Sequence, residues 1–422
     1  MCLYAFENSI RLFYASFEVS DFFQYEEVFM YSISPDYFDT VYDRHTAGDI
    51  KYQPISGVGN VIPMWIADMD FKAPPAVEEA LMKSAKHGIF GYTKTDEEYD
   101  NLIVSWYKRR MGWHINPEWI LKAPGVMFAI SAAIRALTEE DDCVIICQPV
   151  YYPFAKIVAA NRRRLVVSEL QLTNGRYKID FSDFETKIKQ YSVKAFLLCS
   201  PHNPVGRVWT RDELSEIGRI CCKYNVIIVS DEIHSDFVYG NQNHIPISTL
   251  SEEIAARTVT CTAPSKTFNL AGLQASNIII SSTDIRRKVH RVLRATGYGE
   301  LNTMAIAATK AAYKDGEAWL DALLPYLQEN IRILGEACAE TDGKISLIQP
   351  EGTYLMWLDC RRCGLSDIEL ADFFLKQAKV RLHSGTTFGA GGSGFVRMNI
   401  ACPKALLLKA ITQIDSAIKI IK

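Results

Sequence analysis

Lys266 carries the most pointed chemistry in the sequence. It lies between two hydroxyl residues in Pro264-Ser265-Lys266-Thr267-Phe268, just after the apolar, β-branched run 258–262. An amine at the end of a buried strand, held neutral by its surroundings, can condense with a carbonyl to give a Schiff base; a solvated surface cation is the ordinary alternative. Tyr151, Asn203 and Asp231 occupy matching places, directly after the apolar runs 142–148, 195–200 and 225–230. Each has a plain reading too: Asn203-Pro204-Val205-Gly206 as a turn, Asp231-Glu232 as a cap, and the nearby His234 as a hydrogen-bonded structural histidine.

The elements that must position these residues are short, continuous apolar runs alternating with helical segments. That pattern predicts an α/β fold, with a mostly parallel sheet covered by helices on both faces. In such sheets ligands bind beyond the strand ends, so the four residues converge on one rim. Pro124 and Gly125 open a helix whose apolar positions run through Ile130, Ala133, Ile134 and Leu137, and a small-residue helix start can offer free N–H groups to an anion. Thr210 and Glu213 form a capping box for a helix over 211–224. The run 61–71 reads as strand-like and ends in Asp68 and Asp70, either as solvated acids at a strand terminus or as a substrate-facing loop.

Beyond about residue 310 the pattern becomes α+β. A long amphipathic helix over 320–339 is followed by strands over 353–359, 380–383 and 395–400 and a last helix over 403–421. The expected organisation is a large domain over 71–310 and a smaller C-terminal domain over 311–422, to which the segment 30–70 contributes. Residues 1–29 are rich in phenylalanine and tyrosine, but Glu7, Arg11, Glu18 and Asp21 interrupt any apolar h-region, so they do not read as a signal peptide. A docking arm and an upstream misread start both remain open for them.

Composition narrows the function. With 48% hydrophobic and 23% charged residues and a net charge of -3, the chain reads as an ordinary globular protein with no bias toward nucleic acid. No apolar run approaches the roughly 18 to 20 residues of a membrane span. The eleven cysteines are scattered, many inside apolar runs, as expected of reduced thiols in the cytoplasm. Cys360 and Cys363 have no second pair and no neighbouring histidine, so no metal site is expected.

A lysine, an aspartate, an asparagine and an aromatic ring on one rim suit pyridoxal phosphate. The amine bonds the aldehyde, the carboxylate keeps the pyridine nitrogen protonated, the amide donates to the phenolate oxygen and the aromatic ring stacks. From about Tyr37 onward the chain resembles the fold-type I, class I/II aminotransferase superfamily. More closely, it resembles the MalY/PatB-type cystathionine β-lyases. The segments that carry the likeness are Phe38-Asp39 through His45, Pro63-Met64-Trp65-Ile66-Ala67-Asp68-Met69-Asp70-Phe71, Pro201-His202-Asn203-Pro204-Val205-Gly206-Arg207-Val208-Trp209, Ser230-Asp231-Glu232-Ile233-His234, the stretch from Ala263 to Leu273, Glu351-Gly352-Thr353-Tyr354-Leu355, and Val396-Arg397 through Pro403.

The resemblance implies a PLP-dependent carbon–sulfur β-lyase acting on cystathionine or related cysteine S-conjugates, with an aminotransferase or a regulator-binding protein as alternatives. It implies that Lys266 holds the cofactor and shuttles protons, Asp231 pairs with the pyridine nitrogen, Asn203 and His234 lie near the phenolate oxygen, and Tyr151 stacks on the ring. Gly125, Val126 and Ser265 would form the phosphate cup, with Tyr92 added from the neighbouring subunit of a homodimer. Arg397 would bind the substrate α-carboxylate. The sequence departs from the wider superfamily at Gln274, where an arginine is common, and at Ala263, where a serine is common. The implied phosphate cup is therefore less cationic.

Overall fold

Strand ends fix where the chemistry can occur, so the main sheet comes first. The computed structural model describes residues 33–420 apart from Asn241; the expected N-terminal extension, 1–29, lies outside them. Seven strands form the main sheet: β1 (Ile120–Ala123), β2 (Cys143–Gln148), β3 (Arg164–Glu169), β4 (Ala195–Cys199), β5 (Ile227–Asp231), β6 (Thr258–Thr262) and β7 (Ser276–Ile279). Their order is β1-β7-β6-β5-β4-β2-β3, and β7 alone runs against its neighbours. The expected α/β class with a mostly parallel sheet is the fold observed.

Both faces of this sheet are covered, as continuous apolar strands require. Side chains alternate along a strand, and β2 divides accordingly. Val144 and Ile146 pack with Ile130, Ala133 and Val289 from helices Val126–Leu137 and Thr283–Ala295. Cys143, Ile145 and Cys147 pack with Phe184, Ile188, Leu214 and Ile217 from helices Phe181–Gln190 and Arg211–Lys223. Each fully buried aliphatic or aromatic side chain in these layers contributes about 1.5–3 kcal/mol relative to exposure. The Thr210–Glu213 capping box is present at the start of Arg211–Lys223.

A second, antiparallel sheet is built from Ser346–Leu347, Leu355–Asp359, Phe395–Asn399 and His383–Ser384, in that spatial order. Helices Glu317–Ala339 and Lys404–Ile418 cover it through Leu323, Leu327, Leu334, Leu407 and Ala410.

Two expected strands differ from the structure. The run 380–383 is broken at Leu382. Val380–Arg381 pairs in parallel with Ile62–Pro63, whereas His383–Ser384 pairs with Phe395–Asn399. The apolar run 61–71 contains only the two-residue strand Ile62–Pro63 and continues as a strap, because side-chain amides take over its backbone groups. Asn399 Nδ2 donates to the carbonyls of Ile66 and Asp68, both at 2.6 Å. Asn269 donates to the carbonyls of Met69 (3.0 Å) and Phe71 (2.9 Å) and accepts from the Met69 N–H at 3.0 Å. The strap is thus fastened to the second sheet through Asn399 and to the turn that follows Pro264–Thr267 through Asn269.

Candidate active site

A cavity of about 290 Å³ opens at the C-terminal ends of β2, β4, β5 and β6. Its walls include Gly125, Val126, Tyr151, Asn203, Asp231, His234, Ser265 and Lys266, together with Ala67 of the strap and Gln274. Eight of the ten residues singled out in the sequence therefore meet in one place.

Lys266 lies in a single helical turn, Pro264–Thr267, that follows β6. Its amine donates to the Ala67 carbonyl at 2.5 Å, and Tyr354 Oη donates to the same oxygen at 3.2 Å. Burial pushes the amine down to about 8, against the opposing pull of the Asp68 carboxylate. The turn is pinned from behind, since Thr267 Oγ1 donates to the buried Asp236 at 2.6 Å and Trp106 Nε1 donates to the same carboxylate at 3.2 Å.

Asp231 is the last residue of β5 rather than the first beyond it, and it faces β4 and β6 through its register with Cys199 and Cys261. Among the described residues its side chain has a single hydrogen bond, accepted from the Ile233 N–H at 3.2 Å. Burial raises this carboxyl to about 7. His234 is also buried. Its Nδ1 has no partner, its ring packs edge-on against Tyr354 at 5.7 Å, and burial holds its pKa well below the usual histidine range.

Asn203 is carried by the turn after β4. The turn closes at Gly206, whose φ of +71° favours glycine and whose N–H donates to the His202 carbonyl at 2.8 Å. Asn203 Oδ1 accepts from Arg397 Nη1 at 2.9 Å. Tyr151 follows β2 and is the aromatic wall of the cavity. Opposite, helix Val126–Leu137 begins at Gly125, and its first-turn N–H groups have no intrahelical acceptors.

Arg397 comes from the other sheet, on Phe395–Asn399. Its Nη2 donates to the Trp65 carbonyl at 2.7 Å and lies 3.1 Å from His383 Nδ1, while Nε has no partner. No carboxylate touches it among the described residues, and burial brings the guanidinium down to about 10. Tyr92 lies apart from the cavity, fully exposed beside Phe90 on the turn 88–93.

Several positioning groups escaped the sequence reading. The carbonyls of Trp65 and Ala67, which hold Arg397 and Lys266, have no sequence signature; the one hint was the substrate-facing alternative for the run 61–71. His383 gave no signal, and Asn269 and Asn399 entered only within the stretches that carry the resemblance, with no role attached, because their partners are remote in sequence.

These donors fit an anionic aldehyde-bearing pyridine. An amine, a carboxylate without a cation, an unpartnered imidazole nitrogen and free helix N–H groups surround one cavity. The family model for aminotransferase class I and II matches residues 60–414. Cystathionine beta-lyase PatB of Bacillus subtilis is 44% identical over 90% of this chain and 99% of its own length. The crystal structure of cystalysin from Treponema denticola, which contains pyridoxal 5'-phosphate, covers 91% of this chain and 99% of its own at 37% identity, with a TM-score of 0.89. The PLP-bound C-S lyase from Staphylococcus hominis covers 90% of this chain and 97% of its own at 32% identity, with a TM-score of 0.84. Sheet order, rim residues and these likenesses agree that the chain belongs to the aminotransferase class I and II family.

Proposed function

We propose that this protein is a PLP-dependent carbon–sulfur β-lyase that splits cystathionine, or a related cysteine S-conjugate, into a thiol, pyruvate and ammonia. The observation that carries the reading is the pairing of a depressed lysine amine with an uncompensated carboxylate and an uncompensated guanidinium around one cavity. The 44% identity to a cystathionine beta-lyase supports the choice of reaction.

Pyridoxal phosphate, when bound, supplies an aldehyde for the substrate amine and a ring that takes up the electron pair released at Cα. Lys266 would hold the cofactor at rest and, once free, accept the Cα proton. An amine near 8 is a competent base close to neutrality, and such acid–base help is worth about 10²–10⁴-fold. Asp231 would hold the proton on the pyridine nitrogen, with Asn203 and His234 placed for the phenolate oxygen and Tyr151 for the ring face. The N–H groups at Gly125 and Val126, with Ser265, would take the phosphate. Arg397 would bind the α-carboxylate with a planar pair of donors and so orient Cα toward Lys266. The strap at Ala67, held by Asn269 and Asn399, closes one wall and excludes water. With the sulfur departing as a thiol, water converts the remaining three-carbon fragment to pyruvate and ammonia.

The same reading makes the enzyme a homodimer with shared sites, Tyr92 completing the partner's phosphate cup. The exposed Ile89, Phe90 and Tyr92 support it. A large domain over 71–310 and a small one over 311–422 with the segment 30–70 also belong to this reading, and the Ile62–Pro63 to Val380–Arg381 pairing supports the last part. No helix among the described residues is long and apolar enough to cross a membrane, and the described cysteines are free thiols, which supports a cytoplasmic location.

The test is incubation of the holoenzyme with cystathionine and no added keto acid. Stoichiometric pyruvate and free thiol are expected. Turnover that requires a keto acid and releases no thiol would establish the aminotransferase alternative instead.

A further inference from the structure

Cys360-Arg361-Arg362-Cys363 has no task in the chemistry above. Cys360 follows strand Leu355–Asp359, and its N–H donates to the Gly394 carbonyl at 2.9 Å. The chain then makes a single helical turn, Arg361–Cys363, in which the Cys363 N–H donates to the Cys360 carbonyl at 2.9 Å. A turn closed in this way holds its first and fourth Cα atoms within about 7 Å, and a disulfide needs a Cα separation of about 4.4–6.8 Å. Neither sulfur is bonded to another. Each thiol donates to a carbonyl outside the turn, Cys360 to Leu358 at 3.8 Å and Cys363 to Lys344 at 3.3 Å.

The two sulfurs differ in character. A hydrogen bond from Cys360 and the charge of Lys344 hold the Cys363 thiol below the usual range, whereas the same contact and burial push Cys360 well above it. Burial also pushes up Cys147, Cys199, Cys261 and Cys338. Of these six, Cys363 ionises most readily, and the thiolate is the nucleophile. It is also the better reached of the pair, at 6% exposure against 1%, with the exposed Arg362 and Gly364 on either side. One readily ionised sulfur beside one held protonated suits an attacking and a resolving thiol. Among the described residues no three histidine, cysteine or acidic side chains gather as metal ligands, so the pair is a dithiol and not part of a larger ligand set.

We propose that Cys360 and Cys363 form a redox-active dithiol that reduces low-molecular-weight disulfides and is itself converted to a reversible Cys360–Cys363 disulfide. The Cys363 thiolate attacks one sulfur of the small disulfide, its S–S bond breaks, and one half leaves as a thiolate that takes up the proton Cys363 gave to solvent. Cys360, on losing its own proton, attacks the Cys363 sulfur and releases the second half as a thiol in the same way. Two protein thiols are oxidised and one small disulfide is reduced to two thiols.

Hydroxyethyl disulfide is the probe, and the holoenzyme is treated with it, denatured in an alkylating reagent and digested with pepsin. The peptide spanning 360–363 should carry no alkyl group and be two hydrogens lighter than the dithiol, and dithiothreitol should restore both alkylations. Cys360→Ser should retain the mixed disulfide on Cys363. Cys363→Ser should leave Cys360 unmodified, with oxidation slowed about tenfold or more. The wild-type digest decides the pairing even where a serine variant fails to fold. Both thiols alkylated after treatment, a bond from either residue to Cys338, or a Cys363→Ser enzyme oxidised as fast as wild type would overturn the proposal. None of these outcomes depends on which reaction the cavity at Lys266 performs.

Discussion

Arg207 and Arg397 are buried to the same degree, at 2% exposure each, in opposite surroundings. Arg207 Nε donates to Glu351 at 2.8 Å, Nη2 donates to Glu213 at 2.7 Å, and Nη1 donates to the Tyr177 carbonyl. Every face of that guanidinium is answered. Arg397 meets an amide oxygen, a backbone carbonyl and an imidazole, and its Nε meets nothing. The carboxylates divide in the same way. Asp70 holds Arg44 at 2.6 Å and Lys51 at 2.8 Å, whereas Asp231 has one backbone N–H. Burying a charge is costly unless it is paired, so a fold that leaves Arg397, Asp231 and Lys266 unpaired around one cavity has left them for a ligand. Paired buried charges here fasten segments together; unpaired ones mark the chemistry.

The comparison can be broken by exchanging the two outcomes. The largest effect is expected at the carboxylates. Asp231→Ala should lower thiol release about 10³-fold with little change in melting temperature, whereas Asp70→Ala should cost about 2 kcal/mol of stability by removing the buried carboxylate that Arg44 and Lys51 share, leaving them Asp68 and, for Arg44, Asp49. Chemical denaturation and a thiol assay on both variants separate the two. At the arginines, Arg397→Met should reduce kcat/KM about 10²-fold and leave stability near wild type, because an uncompensated cation is removed. Arg207→Met should destabilise by about 3 kcal/mol, since Glu213 loses its cation and Glu351 is left with Arg176 alone. An Arg397 variant that unfolds while the Arg207 variant stays folded would contradict the division.

A smaller effect sharpens the account of Lys266. Its folded-state pKa, about 8, lies below the ordinary 10.5, so the charged amine is disfavoured in the folded, cofactor-free protein. Below pH 8 both states carry the proton and the folded state bears the full penalty. Between pH 8 and 10.5 the unfolded chain holds more protons, and stability rises with pH. Lys266→Met should therefore stabilise the apo protein by at most about 3 kcal/mol at pH 7, and the gain should vanish as pH approaches 10.5. A gain that persists at high pH would assign it to packing instead.

Much of this site was legible because the chemistry hangs on strand ends. Continuous apolar runs gave β2, β4, β5 and β6, and the residues after them had to share a rim, which brought Tyr151, Asn203, Asp231 and Lys266 together without knowledge of the packing. Arg397 was different: its place came from the resemblance, since no local pattern links Phe395–Asn399 to that rim. The strap was half legible. Its apolar residues looked like a strand, but two remote asparagines, Asn269 and Asn399, bind its peptide groups in place of a neighbouring strand. Side-chain to backbone bonds across about 200 to 330 residues leave no periodicity to read. The split at Leu382 was hidden for a similar reason, since Val380-Arg381-Leu382-His383 alternates apolar and polar residues as one strand would, and only its two different partners break it.

The most direct test is to find where the cofactor is held. Borohydride reduction of the holoenzyme, followed by proteolysis and mass spectrometry, should place the pyridoxyl phosphate mass on the peptide containing Lys266, with no label in Lys266→Ala. Label on another lysine, or an enzyme that releases thiol from cystathionine with Lys266 unmodified, would contradict the assignment of this cavity as the active site.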